Sequence, residues 1–303
     1  MAIWIPFQDF SRFDLPDLAQ PVYFYSGLGE PPTQLQSVRF WAIPHPPPPE
    51  CLDTLRQARS LEVVQLLSSG SDHVLPYLPP GATLCNAPQL RARATAEAGL
   101  TLILAACNDV PTWVIQQHNQ VWEWPARRRG LAGRRVLLIG FGAIGKALDR
   151  MLSGLDVEVV PLARQPRRGV AGSGELSALL PTADIVVLAV PLTAETRSLV
   201  DVRFLRAMKP DALLVNISRG EVVSTPALVA GLRQGRIRAA LDVTDPEPLP
   251  PDHELWHCPG VLISPHIGGH IADFEERAAA YVAEQVRRYA RGERLEHVVS
   301  PRS

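Results

Sequence analysis

A glycine-rich turn between a predicted strand and a predicted helix constrains the fold of this chain more than any other feature. The apolar run that begins at Val136 breaks at Gly140, Gly142 and Gly145 and resumes with helix-forming residues up to Leu148. In such a turn the first glycine makes the bend, the second lets the backbone approach a pyrophosphate, and the third lets the helix pack closely on the strand. Free N–H groups at the start of the helix favour phosphate oxygens. Glycines also occur in ordinary turns, but the flanking strand and helix favour a dinucleotide-binding unit.

Strand and helix patterns alternate around and after this turn. The expected strands are 135–139, 157–162, 185–190, 212–215, 239–241 and 261–264. The expected helices are 143–152, 176–180, 196–199, 202–207 and 225–234. Apolar strands separated by helices are typical of a parallel sheet that helices cover on both faces. The sequence therefore predicts an α/β fold built on a doubly wound parallel sheet of the Rossmann type.

The first third of the chain predicts a second, smaller α/β domain, because short apolar runs alternate there with polar, helix-like segments. The runs lie at 21–25, 38–42 and 61–67. An amphipathic stretch at 274–291 is expected to return to this domain, with Gln285 as a polar interruption of its apolar face. The expected domains are 1–99 together with 280–303, and a dinucleotide-binding domain of 100–279.

The composition excludes several classes of partner. With 30 basic and 31 acidic residues the formal net charge is −1, so no overall field attracts nucleic acid or an anionic membrane. The longest apolar stretch, 100–107, is too short to cross a bilayer, and no basic segment of a secretory signal precedes the apolar residues at the N-terminus. The four cysteines lack the spacing of a metal site or a disulfide framework, so neither is expected: Cys51, Cys85, Cys107 and Cys258. We expect their thiols to be reduced, as in a cytoplasmic protein.

The residues after the second strand of the Rossmann unit predict which dinucleotide binds. An acidic residue usually stands there and accepts hydrogen bonds from the adenosine ribose. In this chain Glu158 lies within the strand and Asp156 before it, whereas Arg164, Arg167 and Arg168 follow its end. Guanidinium groups suit a 2′-phosphate, so the pattern favours NADP(H). NAD(H) stays possible, since a short run of arginines can also be a solvated loop.

Chemically active side chains follow the ends of further predicted strands. Arg219 lies in segment 215–223, Glu247 in 241–249 and His266 in 264–269. Open α/β sheets bind their ligands at the carboxyl edge, where these segments would meet. Taken singly, the arginine could form a surface ion pair, the glutamate a solvated turn and the histidine a structural hydrogen bond. Asp245, two residues from Glu247, is a competing carboxylate for the same role as Glu247.

The order of these motifs resembles one known family. The glycine turn, V-N-I-S-R-G at 215–220, L-D-V-x-x-x-E-P-L at 241–249 and P-H-I-G-G at 265–269 resemble the D-isomer-specific 2-hydroxyacid dehydrogenases. Weaker resemblances lie at 68–73, 85–88 with 96–97, and 190–196, so the similarity covers the chain from about Leu61 onward. The stretch 162–167 is similar to that of glyoxylate/hydroxypyruvate reductases within the family.

The resemblance implies roles for the residues that match the family motifs. Arg219 would grip the substrate carboxylate, His266 would be the acid and base, and Glu247 would hold its imidazole. A carboxylate at 247 separates the chain from formate dehydrogenases, which carry an amide there. Backbone N–H groups around Ser69, Gly70 and Ser71 would complete the carboxylate pocket from a smaller, flavodoxin-like substrate domain.

The resemblance also predicts the contacts of the cofactor, with the nicotinamide near Asp242 and Gly268. The residues expected to bind it are Gly140, Gly142, Ala143, Ile144, Gly145, Arg164, Gln165, Arg167, Pro191, Thr196, Ser218, Asp242 and Gly268. The expected reaction is hydride transfer between NADPH and a small 2-oxo acid or D-2-hydroxy acid, with glyoxylate or hydroxypyruvate as plausible substrates. The alternatives are an NADH-dependent D-2-hydroxyacid or phosphoglycerate dehydrogenase, and a non-catalytic, nucleotide-sensing protein of the corepressor kind.

Family members are commonly dimers, so the resemblance implies a homodimer. The apolar segment 98–114 could provide its interface. Trp122 and Trp124 could line the substrate mouth, join a subunit contact or pack inside the protein.

Overall fold

The structure is a computed structural model that describes residues 1–10, 13, 18–124 and 129–299. Within the described residues the strands are β1 (Ala2–Ile5), β2 (Val22–Phe24), β3 (Val38–Ala42), β4 (Val63–Gln65), β5 (Thr83–Cys85), β6 (Arg135–Ile139), β7 (Glu158–Ala163), β8 (Ala171–Gly172), β9 (Ile185–Leu188), β10 (Ala212–Asn216), β11 (Ile237–Leu241) and β12 (Val261–Ile263). The α-helices are α1 (Pro49–Gln57), α2 (Pro88–Asn108), α3 (Val110–His118), α4 (Ala143–Leu152), α5 (Leu176–Leu179), α6 (Val202–Ala207), α7 (Thr225–Arg233) and α8 (Phe274–Ala290).

The chain divides into two compact units. The first unit contains residues 1–91 and 270–303, and the second contains 92–269. From the sequence, these boundaries are predicted at 99/100 and 279/280, positions that lie inside α2 and α8. The boundary at 91/92 falls inside the continuous helix α2, where the composition changes little, so the sequence offers no signal that would locate it.

The first unit is built on a five-stranded parallel sheet with the order β2-β1-β3-β4-β5. This order is that of flavodoxin-like folds, as the resemblance implied. Helix α8 covers one face and helix α1 the other, so the strands are buried on both sides. Strands β1 and β5 were not predicted, whereas β2 and β4, which are also short, lie within the predicted apolar runs 21–25 and 61–67.

Helix α8 explains the polar interruption seen in its sequence. Gln285 is fully buried, and its Nε2 donates to Gln65 Oε1 of β4 at 2.7 Å. Gln285 Oε1 in turn accepts from Glu296 N at 3.1 Å. Because buried amides need partners, these two glutamines fix the register of α8 on the sheet.

The second unit is built on a seven-stranded sheet with the order β12-β11-β10-β9-β6-β7-β8, and all of its pairings are parallel. This confirms the predicted doubly wound Rossmann sheet. The strand order reverses between β6 and β9, the topological switch point at which ligands bind in such sheets. The helix expected at 196–199 was wrong: the segment is a turn, in which Thr196 Oγ1 donates to Pro191 O at 2.6 Å and accepts from Thr193 N at 2.8 Å. Side-chain hydrogen bonds of this kind compete with helix formation.

Helices α2 and α3 occupy the apolar segment before β6. Asp109 separates them with a φ of 60°, a left-handed backbone that ends α2. In the described residues no single helix has the length and apolarity to cross a membrane, although α2 and α3 pass that test together across a 70° bend. Leu102, Ile103 and Cys107 of α2 pack into the core of their own unit.

The amino-terminal edge of the second sheet carries an ionic cluster. Arg129 donates two hydrogen bonds to the Asp211 carboxylate, at 2.6 and 2.9 Å, and Arg238 Nε lies 3.3 Å from the same group. Burial raises the pKa of Asp211, but the hydrogen bonds and positive charges of the two arginines outweigh it and hold the pKa below its usual value.

Candidate active site

The glycine turn has the geometry that a dinucleotide needs. Gly140 follows β6 with a φ of 102°, and a Cβ there would overlap the Ala189 carbonyl oxygen. A Cβ on Gly145 would overlap the Gly140 carbonyl, so α4 packs directly on the turn. In contrast, nothing lies within 4 Å of the position a Cβ would take on Gly142. Only the middle glycine faces open space, as expected of the residue that a pyrophosphate approaches.

The start of α4 supplies hydrogen-bond donors at this open position. Gly142 is the N-cap residue, followed by the half-buried Ala143 and Ile144. The first N–H groups of a helix have no partner within the helix, and the helix dipole favours negative charge there. N–H groups at the start of a helix suit the oxygens of a pyrophosphate.

The arginine-containing loop after β7 lies beside the glycine turn. Arg167 Nη2 donates to Phe141 O at 3.0 Å, and its guanidinium lies 5.6 Å from the centre of the Phe141 ring. Arg164 and Gln165 are exposed in the same loop. Glu158 pairs with Arg135 at the opposite end of the strand, at 3.3 Å. The carboxyl end of β7 therefore presents guanidinium groups and no carboxylate.

The loop after β10 holds Arg219 through hydrogen bonds of its own. The Asn216 side chain accepts from Ser218 N at 3.0 Å and from Ser218 Oγ at 2.6 Å, and it donates to Arg219 O at 2.9 Å. Arg219 is half-buried, and its Nη1 donates to Ser218 O at 2.8 Å. A Cβ on the next residue, Gly220, would overlap the Thr244 carbonyl. The loops after β10 and β11 thus lie in direct backbone contact.

Asp242 ties the end of β11 to the loop that carries His266. It is 3 % exposed, and its Oδ1 accepts from Ser264 Oγ at 2.7 Å and from Ile267 N at 3.0 Å. Its Oδ2 accepts from Gly268 N at 3.0 Å. The Asp242 carboxylate therefore holds the loop that contains His266 through hydrogen bonds to residues on both sides of it. The cofactor contacts expected of Asp242 and Gly268 stay predictions.

His266 and Glu247 form the central pair of the site. His266 Nδ1 lies 2.5 Å from Glu247 Oε1, and the side chains are 45 % and 42 % exposed. His266 has a φ of 51°, which is uncommon for a residue with a side chain, and its N–H donates to Asp242 O and Ser264 O. Because Glu247 engages Nδ1, Nε2 is the ring nitrogen left to exchange a proton with a ligand. Glu247 occupies this position rather than its competitor Asp245.

The structure brings most of the predicted residues to one edge. Strands β10, β11 and β12 are neighbours, so Arg219, Glu247 and His266 all follow the carboxyl ends of adjacent strands. Pro191 and Thr196 lie in the turn after β9, and Ser218 is buried beside Asn216. Ser69, Gly70 and Ser71 follow β4 at the carboxyl edge of the first unit's own sheet.

Several supporting residues escaped the sequence analysis, among them Asn216, Gly220 and Ser264. Asn216 was detectable in principle, since it is a polar residue at the end of a buried strand. The close approach at Gly220 and the bond from Ser264 depend on loops distant in sequence. Within the described residues, no group of three or more His, Cys, Asp or Glu side chains could hold a metal ion.

The fold and site define a nicotinamide-dependent oxidoreductase, and comparison with known proteins specifies its family. Residues 100–268 match the family model described as D-isomer specific 2-hydroxyacid dehydrogenase, NAD binding domain. A glyoxylate reductase of Pyrococcus furiosus is 33% identical over 231 residues, which are 70% of this chain and 67% of that protein. A D-3-phosphoglycerate dehydrogenase of Methanocaldococcus jannaschii is 30% identical over 82% of this chain but only 49% of its own length.

A solved structure extends the similarity to both units. The D-isomer specific 2-hydroxyacid dehydrogenase of Xanthobacter autotrophicus Py2, in complex with NADPH and MES, has a TM-score of 0.82 and 29% identity, covering 99% of this chain and 98% of that one. The chain belongs to the D-isomer specific 2-hydroxyacid dehydrogenase family. It is an NAD(P)-dependent enzyme that resembles glyoxylate reductases.

Proposed function

We propose that this enzyme reduces a small 2-oxo acid to the D-2-hydroxy acid with NADPH, reversibly, and that glyoxylate or hydroxypyruvate is its substrate. The observation that carries the proposal is the bond between His266 Nδ1 and Glu247 Oε1, which lie in the loops after β12 and β11, together with Arg219 in the loop after the neighbouring strand β10. In this set His266 can donate a proton, Glu247 can stabilise the protonated imidazole, and Arg219 can bind a carboxylate with its planar guanidinium group.

Each of these residues has a defined part in the reduction. Arg219 binds the substrate carboxylate through two parallel N–H bonds and polarises the neighbouring carbonyl. A nicotinamide bound beside these residues would supply the hydride for C2. His266 Nε2 donates a proton to the carbonyl oxygen, which becomes the hydroxyl, and Glu247 stabilises the imidazolium before this transfer. In the oxidation direction neutral His266 takes the hydroxyl proton back.

The cofactor would be held by the glycine turn and the residues around it. Gly142 and the start of α4 suit the pyrophosphate, and the guanidinium groups of Arg164 and Arg167 suit a 2′-phosphate. The Xanthobacter autotrophicus Py2 relative was crystallised with NADPH, which supports this preference. The further contacts proposed are those of Gln165, Ala143, Ile144, Gly145, Pro191, Thr196, Ser218, Asp242 and Gly268. In the first unit, the N–H groups of Ser69, Gly70 and Ser71 are proposed to bind the substrate carboxylate.

A homodimer is part of the proposal. The apolar side chains of segment 98–114 that belong to α2 pack into the core of their own unit. The exposed apolar side chains of this region lie on α3 and on the residues after it. Trp122 and Trp124 are each 88 % exposed, and Val114 and Ile115 of α3 are exposed as well. Light scattering coupled to size exclusion tests for a dimer. The buried free thiols of all four cysteines suit the proposed cytoplasmic location.

Steady-state kinetics tests the reaction. NADPH oxidation is followed with glyoxylate, hydroxypyruvate, pyruvate and 3-phosphohydroxypyruvate, and then with NADH in place of NADPH. His266→Ala should lower kcat by about 10²–10⁴-fold while NADPH still binds. Arg219→Lys keeps the charge but loses the planar fork, so KM for the oxo acid should rise. Turnover of none of these acids by the wild-type enzyme would refute the proposal.

The cofactor preference has its own test. The double variant Arg164→Gln/Arg167→Gln should lower kcat/KM for NADPH by about 10–100-fold and leave that for NADH nearly unchanged, because only the 2′-phosphate loses partners. Arg150→Gln, at an exposed arginine of α4, is the matched control. A wild-type preference for NADH would contradict the role given to the arginines.

A further inference from the structure

Residues 68–71, in the loop that follows β4, have their carbonyl groups engaged in hydrogen bonds. The carbonyl oxygens of residues 68–71 each accept a hydrogen bond at 2.8 to 3.1 Å. In chain order the donors are Ala87 N, the Asn86 side chain, the Ser68 hydroxyl, and Val74 N with Leu75 N. In the part of the chain that the structure describes, the N–H groups of Ser69, Gly70 and Ser71 donate to no acceptor.

Engaged carbonyls fix the direction of these N–H groups. In a trans peptide the C=O of one residue and the N–H of the next point in opposite directions. The Ala87 bond to Ser68 O therefore sets the N–H of Ser69, and the Ser68 hydroxyl bond to Gly70 O sets that of Ser71. Successive N–H groups that a turn leaves unbonded can bind an anion.

The central peptide of this loop depends on one side chain. Asn86 Nδ2 donates to Ser69 O at 2.8 Å, and this bond sets the N–H of Gly70. The two other peptides are oriented by a backbone group and by the loop's own Ser68, so only the Gly70 N–H relies on a side chain from another segment. The bond is solvent-exposed, which makes its contribution to folding small.

The backbone of Asn86 is itself held by hydrogen bonds. Its N–H donates to His297 O at 3.1 Å, and its carbonyl accepts from Tyr281 OH at 3.2 Å and Gln65 Nε2 at 3.3 Å. Its backbone is thus tied to α8 and to the segment that follows it. The side chain reaches the loop from a rigid base, as a group that orients another group must.

We propose that Asn86 is a positioning residue, which aims the Gly70 N–H at the carboxylate of the substrate through its bond to Ser69 O. This inference rests on the proposed function, which gives the 69–71 loop its carboxylate ligand. Asn86 touches the loop and acts on the ligand only through it.

The experiment compares Asn86→Ala with Asn108→Ala. Asn108 Nδ2 also donates to a backbone carbonyl, Leu104 O at 2.9 Å, but it lies in the second unit. We expect Asn86→Ala to raise KM for the 2-oxo acid about tenfold, with kcat within about threefold and the same NADPH affinity and Tm as the wild type. Asn108→Ala should leave KM unchanged. An unchanged KM in Asn86→Ala, or an equal rise in both variants, would overturn the proposal.

Calorimetry with malonate, a carboxylate that cannot be reduced, separates this inference from the proposed reaction. If the wild-type protein turns over no 2-oxo acid, the proposed function fails, and malonate binding in the presence of NADPH decides the role of Asn86. About tenfold weaker binding to Asn86→Ala but not to Asn108→Ala would uphold it. Equal binding to all three proteins, or no binding to the wild type, would overturn it.

Discussion

Replacing Gly220 by alanine tests whether backbone contact sets the spacing of the catalytic loops. Gly220 has no left-handed backbone, so alanine is conformationally allowed and the effect is purely steric. The new Cβ would stand 2.7 Å from Asp245 N, and ordinary contact begins at 3.4 Å. The loops after β10 and β11 must therefore separate by at least about 0.7 Å. The Thr244 carbonyl, which is closer still, demands more.

This separation moves Arg219 away from the loop that carries Glu247. Overpacking of this kind costs about 1–3 kcal/mol, and Tm falls by about 2–4 °C per kcal/mol in a domain of this size. Because a displacement near 1 Å can cost about a hundredfold in rate, we expect kcat/KM to fall about 10–100-fold. Calorimetric melting and steady-state kinetics measure the two effects.

Gly154→Ala is the control for this substitution, since nothing lies within 4 Å of its Cβ position and its φ is not positive. It should melt and turn over like the wild type. Wild-type activity in Gly220→Ala, or the same loss in both variants, would refute the steric reasoning.

Further outcomes follow from buried and charged groups. Gln285→Leu should destabilise the fold by about 1–3 kcal/mol for each group that it orphans, and Gln65→Leu added to it should recover part of this loss in chemical denaturation. Asp242→Asn turns an amide donor toward the N–H of Gly268, so stopped-flow kinetics should show a slower reaction, while an unchanged rate would contradict this role. Asp211 has a pKa below its usual 3.8, so its carboxylate stabilises the fold above that value and this contribution is lost as the pH falls through the folded-state pKa. Asp211→Asn should flatten the dependence of Tm on pH in the acid range, and an unchanged slope would argue against its arginine pairs.

The sequence predicted the second unit better than the first, for a physical reason. Apart from the two-residue β8, which was not predicted, its strands are apolar and separated by helices or loops, so each of them is visible as a local pattern. The expected helix at 196–199 failed because threonine side chains bond to nearby backbone there, which no periodicity reports. The strands missed in the first unit are short and gain their identity only from neighbours in the sheet.

The site follows the same division. Arg219, Glu247 and His266 could be named because each follows a strand in a recognisable motif, and in the structure the residue that pairs with His266 is Glu247. The residues that hold them could not be named. Asp242 receives its partners from a loop more than twenty residues later, and Asn86 bonds to a loop seventeen residues earlier. Such bonds depend on which loops meet in space, and the spacing of residues in the sequence does not encode these meetings.

The division of the chain into units also bears on its synthesis. The second unit is one uninterrupted stretch, 92–269, whereas the first needs 270–303 as well. Ala278, Val282 and Val286 of α8 fill one face of the first sheet. A ribosome therefore releases everything the dinucleotide unit requires before α8 emerges. Residues 1–91 are made before the second unit, but their sheet gains α8 only after residues 92–269 have been made. One face of this sheet therefore stays uncovered during that part of translation.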